Sequence, residues 1–423
     1  MSDAQSDPKT GDVLQGTPAH RTELPQRLLS LDVFRGLIMC TLAANGLALA
    51  ATAKQLGHGP TAEVTSLGGQ IWQWLAFHNS HPFWNSQFYL IGCSYWDLIQ
   101  PSFMFMVGVA MPFSYASRRK RGSSTRSLAT HALVRALVLI ALGVFLQTRN
   151  TGLDSNRLFT NVLSQIGLGY FFVFLLLGRG ARIQIAVSIL VLAGYWAWFV
   201  QHPVPVPLPR AAVESISDLS LPQRFAEHFA LNTNPAAELD VKLFNMLPHQ
   251  KPHEAHAAGY VTLNFVPSAV TMLFGVLAGT LLLSRRDDHE KVRLLVVAGL
   301  LCMLVAVALS FTLCPVVKKI WTPAWTLYSG AWVLWILALL YWIIDIRGWK
   351  AWTFPLVVVG MNSLAMYLMG MSLRGWVADR FEAYLGDQIF AGDYGPTIEA
   401  IAVFAVFWLV CLYLYRSKIF FRV

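Results

Sequence analysis

Ten stretches of continuously apolar sequence, each about 20 residues long, restrict this chain to one kind of fold more than any other feature. A helix needs about 20 apolar residues to cross a hydrocarbon layer ~30 Å thick. The runs lie near 31–53, 98–116, 132–148, 158–177, 182–200, 262–284, 292–314, 324–344, 353–373 and 397–415 of the 423 residues. They do not alternate apolar with polar positions, so membrane β-barrels are excluded. Hydrophobic residues make up 55% of the chain and charged ones only 13%, too apolar a balance for a water-soluble domain. The expected fold is all-α: a polytopic integral membrane protein with about ten transmembrane helices.

Charge sets the orientation. Arg118, Arg119, Lys120, Arg121, Arg126, Arg179 and Arg182 share one set of loops with Arg285, Arg286, Lys291, Arg293, Arg347, Lys350, Arg416, Lys418 and Arg422. The opposite loops are longer and poorer in cations, so both termini are expected in the cytoplasm. The net charge of +9 is therefore mostly a topology signal, and no nucleic-acid partner is expected. Residues 1–26 read as a disordered cytoplasmic tail rich in Ser, Asp, Gly, Pro and Thr. They lack the short apolar core of a signal peptide, so the first span should be retained. Residues 27–423 read as a single transmembrane domain without a fixed-period repeat. Cysteines 40, 93, 302, 314 and 411 form no CxxC pair and read as small apolar residues.

Two outer segments are wide. Residues 201–261 open on the proline-rich His202–Pro209, pass a short helix expected near 221–230, and end in the polar run His249–His256. The histidines at 249, 253 and 256 have no cysteine or firm helical frame beside them; they read as a solvated loop, and no metal is expected. In segment 54–97, Ile71–Phe77 is too short to span and too aromatic for a free loop. An interfacial helix there would present His78 and His81.

Polar residues inside spans are costly in lipid and are candidates for function. Asn45 lies in the first span; Asp97, Gln100 and Ser102 open the second, where Asp97 and Pro101 either cap the helix or serve a site. Asn161 and Gln165 are one turn apart in the fourth span, Asn264 and Ser268 in the sixth, and Asn362 and Ser363 sit mid-span in the ninth. Singly such residues glue helices together; spread over five spans they fit a polar cavity. Arg35 either pairs with Asp32 or receives a phosphate from the cytoplasm. Lys318, Lys319 and Trp321, before the eighth span, face an anionic substrate or the membrane surface. His78 and His81 near Asp97 suit proton transfer, because imidazole changes charge near neutral pH.

Several motifs, taken in order, resemble the transmembrane acyltransferases related to heparan-alpha-glucosaminide N-acetyltransferase, which include a bacterial branch. Leu31-Asp32-Val33-Phe34-Arg35-Gly36 is similar to that family's opening motif, and Asn45 falls where it has a first-span Asn. His81-Pro82-Phe83-Trp84 resembles the motif preceding its Asp-Leu-x-x-Pro helix, here Asp97-Leu98-Ile99-Gln100-Pro101. Gly275-Val276-Leu277-Ala278-Gly279, Lys319–Trp325 and Gly360-Met361-Asn362-Ser363 complete the set. The resemblance covers roughly 27–180 and 260–415.

It implies transfer of an acetyl group from cytoplasmic acetyl-CoA to an amino sugar or glycan across the membrane, in a bacterial inner membrane, with a homodimer as one possibility. The catalytic histidine maps to His81, with Asp97 and Asn45 beside it. Asn85–Ile91 reads as an insertion between histidine and Asp, so either His78 or His81 fills the catalytic place. Donor-binding candidates are Arg35, Gln100, Ser102, Asn161 and Gln165; acceptor-binding candidates are Asn264, Lys319, Trp321, Asn362 and Ser363. Ser164-Gln165 replaces a Gln-Arg pair of the relatives nearer the lysosomal enzyme. His81 is expected to act as general base or to carry the acetyl group covalently. The competing function is a transporter for N-acetylglucosamine or a related sugar, which paired broken helices in two related halves would support.

Overall fold

Strong side-chain caps and small residues at crossings explain most of the architecture. The computed structural model describes residues 28–59, 62–149, 158–247, 249 and 252–421. The tail expected to be disordered, 1–26, lies outside the described residues. Leu29–Ala43 (α1) and Leu49–Gln55 (α2) form the first span, joined by a turn at Asn45–Ala48. Leu67–His78 (α3) follows, then Tyr95–Lys120 (α4), Thr125–Thr148 (α5), Val162–Leu176 (α6) and Ala181–Gln201 (α7). Three short helices, Arg210–Ile216 (α8), Gln223–Ala226 (α9) and Pro235–Asn245 (α10), fold the long 201–261 segment. Phe265–Leu283 (α11), Asp288–Thr312 (α12) and Pro323–Leu340 (α13) cross next. Phe354–Met361 (α14), Ser363–Ser372 (α15), Arg374–Leu385 (α16) and Gly395–Arg416 (α17) complete the chain.

Among the described residues seven helices are long and apolar enough to cross a membrane, and up to nine if each of two bent pairs counts as one span. Two expected spans are therefore not straight. The first bends by 44° at Asn45, and the ninth by 81° at Asn362. Asn45, Gly46, Leu47 and Ala48 all carry φ between 52° and 59°, the left-handed region, and three of the four lack glycine's freedom there. The fourth expected span is only the 15-residue α6.

Helix order sends the ends of α4, α12 and α13 that carry Lys120, Asp288 and Tyr341 to one side, called the basic face here. Contacts agree: Asp345 accepts the backbone N–H groups of Leu29 and Ser30, and Tyr341 donates to Asp288 at 2.7 Å. At the far face Arg149 donates to the Met371 carbonyl, Arg374 to that of Ala43, and Gln55 to that of Gly392.

Two crossings depend on missing side chains. On α4 and α11, a Cβ at Gly108 would overlap the Met272 carbonyl, one at Gly275 that of Phe105, and one at Gly279 that of Val109. Small residues four apart let helix backbones touch in lipid. α14 meets α1 in the same way: Gly360 lies on the Asp32 carbonyl and Gly36 on that of Leu356. The glycines of the Gly275–Gly279 motif thus hold α4 in place. Gly275→Leu is expected to push α4 off α11 and cost about 3 kcal/mol, the upper end for overpacking. A melting temperature measured in detergent checks this, and an unchanged value would disprove the contact.

The outer segment is packed. α10 is capped by Asn234, whose side chain accepts from Ala237 N–H at 3.1 Å. Asp240 accepts the Thr262 N–H at 2.7 Å, fastening α10 to the entry of α11, and burial pushes its carboxyl up to about 6. His253 is not solvated as expected. It is buried, edge-on to Phe244 with ring centroids 5.1 Å apart. The five cysteines are free, three of them buried and two intermediate, as their apolar reading anticipated.

Candidate functional site

α4 begins earlier than expected, and this decides what Asp97 does. Ser94 is the cap: its hydroxyl accepts Trp96 N–H at 3.2 Å and donates to the Phe77 and Ser80 carbonyls. Asp97 therefore sits in the first turn with its carboxylate free for tertiary contacts. It takes His81 Nδ1 at 2.6 Å and Lys318 Nζ at 3.2 Å, both on Oδ1. Lys318 Nζ is also 3.3 Å from His81 Nδ1. A 2.6 Å approach to a carboxylate requires Nδ1 to carry the proton, so the lysine acts on the ring through its charge and not as a donor.

His81 lies in the loop after α3, its side chain 39% exposed. No described residue hydrogen-bonds Nε2. Burial and the Lys318 ammonium hold the imidazole below its ordinary value of 6.5, against the opposing pull of the Asp97 hydrogen bond. The ring is neutral near pH 7, with Nδ1–H on Asp97 and the lone pair on Nε2. That is the equipment of a general base.

The two histidines separate. His78 ends α3, and its Nδ1 accepts the Tyr95 backbone N–H at 3.3 Å, so it braces the start of α4. The loop of Lys318 is built as firmly: Ser86 N–H donates to the Val316 carbonyl at 2.8 Å, and Lys318 N–H to the Ser86 hydroxyl at 3.3 Å. Thr322 caps α13. Lys319 points elsewhere, donating to the Phe83 carbonyl at 2.6 Å among the rings of Phe83, Trp84 and Tyr260, and burial lowers its pKa. Asn264 donates to the Lys319 carbonyl at 2.7 Å. Trp321 is wholly buried at φ 45°, and its indole N–H has no partner among the described residues.

A second feature lies toward the basic face. A cavity of about 690 Å³ is bordered there by Arg35, Arg118, Arg121 and Arg135, and deeper by Met39, Phe103 and Tyr367. Along α4 its lining runs from Arg121 to Phe103, 18 residues or about 27 Å of helix. Asp97 lies six residues further, about 9 Å. The polar residues expected around one cavity thus fall at two levels of α4, with the Leu98–Ser102 turn between them. Gln100 and Ser102 are buried in that layer, and the Ser102 hydroxyl has no partner among the described residues.

The other candidates divide between these regions. Arg35 lies 3.8 Å from Asp32 and also lines the cavity, so the pairing and a place beside a cytoplasmic ligand are compatible. Ser363 lines the cavity and not the His81 side. Asn362 stands at the 81° break, its Oδ1 accepting Phe421 N–H at 3.2 Å and its amide nitrogen unpartnered. Asn161 and Gln165, one turn apart, engage different partners. Asn161 caps α6 through Leu163 N–H and receives the Tyr367 hydroxyl, while Gln165 donates to the Phe159 and Thr262 carbonyls. Asn45 is exposed at its kink with no hydrogen-bond partner among the described residues, and Gly46 beside it abuts the Asn79 side chain and Trp96. Ser268 donates to the Phe265 carbonyl.

Over its whole length the chain is 24% identical to heparan-alpha-glucosaminide N-acetyltransferase of Mus musculus, covering 64% of that protein. A stretch of 180 residues, 41% of the chain, is 28% identical to the Homo sapiens protein of the same name and covers 22% of it. The similarity supports a heparan-alpha-glucosaminide N-acetyltransferase-like family. No protein-family model matches the chain. The chain spans less than two thirds of the length of either relative.

Within that likeness, two groups of residues escape a reading of the sequence. Lys318 is one of two adjacent lysines, and only the turn into α13 decides which meets Asp97. Arg118 and Arg121 read as topology signals, yet they also border the cavity with His131 and Arg135.

Proposed function

We propose that the chain transfers an acetyl group from cytoplasmic acetyl-CoA to the amine of an amino sugar or glycan on the periplasmic face of a bacterial inner membrane. The observation that carries this reading is the His81–Asp97–Lys318 cluster, which leaves a neutral imidazole with an unengaged Nε2. It sits at one end of a helix whose other end borders an arginine-lined cavity. Relatives named as N-acetyltransferases support the same reaction class. The bias of positive charge assigns the basic face to the cytoplasm.

The cavity suits a long anion. The guanidinium groups of Arg35, Arg118, Arg121 and Arg135 match phosphate oxygens in fork geometry, and Met39, Met106 and Tyr367 offer an apolar wall to a narrow arm. The orphan hydroxyl of Ser102, with Gln100, offers polar groups in the layer between cavity and Asp97. Acetyl-CoA, when bound, supplies an acetyl group activated as a thioester.

The chain's own residues do the rest. Asp97 accepts Nδ1–H and fixes the tautomer, and Nε2 takes the proton that the attacking amine sheds. Lys318 balances the Asp97 carboxylate and keeps the ring neutral. Asn45, unpartnered at its kink, is the candidate donor to the developing oxyanion, an interaction worth about 3 kcal/mol where enzymes use it. The kink at Asn45 and the turn through Gly46 bring this segment against Asn79, two residues before His81.

Because only neutral imidazole can act as base, activity must fall as pH drops through the His81 pKa. That pKa is depressed, so the acid limb of kcat/KM is expected below pH 6.5. Once ionisation of the acceptor amine is allowed for, an enzyme limb above pH 7 would contradict the assignment. The reading is tested with purified protein in liposomes, labelled acetyl-CoA on one side and glucosamine on the other. Label on the sugar with release of free thiol supports transfer; unmodified sugar crossing without thiol release would make the chain a transporter.

A further inference from the structure

Apolar side chains flank His81 on both sides along the chain, and they face outward. α3 shows Leu67, Ile71 and Trp74 at i, i+4 and i+7, Leu67 being 74% and Trp74 61% exposed, while Ala76 on the other side is buried. After His81, Phe83 is 59% exposed, and the 88–92 turn displays Phe88, Tyr89, Leu90 and Ile91, with Tyr89 at 86%. The two surfaces touch: the rings of Phe77 and Phe88 lie 4.7 Å apart.

This turn is held rigidly. Phe88 and Gly92 exchange backbone hydrogen bonds at 2.7 and 2.9 Å, Tyr328 donates to the Gly92 carbonyl at 2.8 Å, and the Trp332 indole to the Ile91 carbonyl at 3.1 Å. Trp332 lies nine residues into α13, about 13 Å from its start. Exposed apolar groups are thus fixed against the flank of a spanning helix, well below its far end. They continue the lipid-facing surface of the spans, where Leu339 of α13 is also exposed. Trp and Tyr at such a boundary belong to an interfacial belt.

Resting on the acetyl-transfer reading, we propose that the acceptor is an amino sugar carried on a lipid, which reaches His81 sideways from the outer leaflet. Its acyl chains stay among α3, Phe83 and the 88–92 turn, while its amine meets Nε2. Apolar cover around a proton-transfer site would hinder a water-borne glycan but suits a head group anchored in the leaflet.

Two measurements decide it. Proteoliposomes are given labelled acetyl-CoA and either glucosaminyl diacylglycerol in the membrane or methyl glucosaminide in water. Label is expected on the glycolipid at least tenfold faster at matched total concentration. Equal or faster labelling of the soluble sugar would overturn lipid delivery and leave acetyl transfer standing. No label on either, with no thiol released, would overturn both. Separately, a nitroxide on Leu67→Cys or Tyr89→Cys should collide with oxygen and not with a water-soluble nickel chelate. Collision with nickel, or shielding from both as beneath a second copy of the chain, would overturn the lipid contact.

Discussion

His81→Ala is expected to cut acetyl transfer at pH 7 by about 10²- to 10⁴-fold, the range typical of losing a general base. Folding should survive, since the side chain is 39% exposed and supports no backbone group. His78→Ala should do the reverse. Its Nδ1 braces the start of α4 through Tyr95 N–H, so the loss resembles removal of a helix cap, about 1 kcal/mol in stability with turnover largely kept. Initial rates for both variants, with melting temperatures beside them, separate the two histidines. Full activity in His81→Ala would sink the assignment, and so would a tenfold loss confined to His78→Ala. Added imidazole should restore part of the His81→Ala rate, because the site keeps Asp97 to orient a free ring.

Much of this was legible in the sequence, for a physical reason. Lipid offers no hydrogen bonds, so spanning segments must be continuous apolar helices. Every expected apolar run contains a helix, and even the interfacial stretch Ile71–Phe77 lies inside α3. What stayed hidden is tertiary. Apolar content does not reveal a bend, so the kinks at Asn45 and Asn362, each at a residue marked as polar within a span, were read as points on straight helices. Asn161 and Gln165 are one turn apart in the sequence, but which partners they hold, a cap for one and loop carbonyls for the other, is set by the fold. His81 and Asp97 could be paired from chemistry alone, but Lys318 is 221 residues from Asp97 and enters only through folding.

That lysine carries the larger test of the site's electrostatics. Lys318→Met removes the cation facing a buried carboxylate and should cost about 3–5 kcal/mol, since breaking a buried pair leaves an uncompensated charge. The same change removes one of the three influences that depress His81, after burial the largest and ahead of Lys319, so the acid limb of kcat/KM should move to higher pH. The direction follows from linkage: without the neighbouring cation the protonated imidazole is favoured, and the base becomes incompetent sooner as pH falls. Pairing Lys318→Met with Asp97→Asn should recover most of the stability, because neither charge is then buried alone, yet transfer should stay low because Asp97 no longer orients the ring as a carboxylate. A limb that stays in place in a folded Lys318→Met protein would show that the lysine serves packing only. The electrostatic account predicts that both readouts move together, and that Lys318→Arg, which keeps the charge, shifts the limb little.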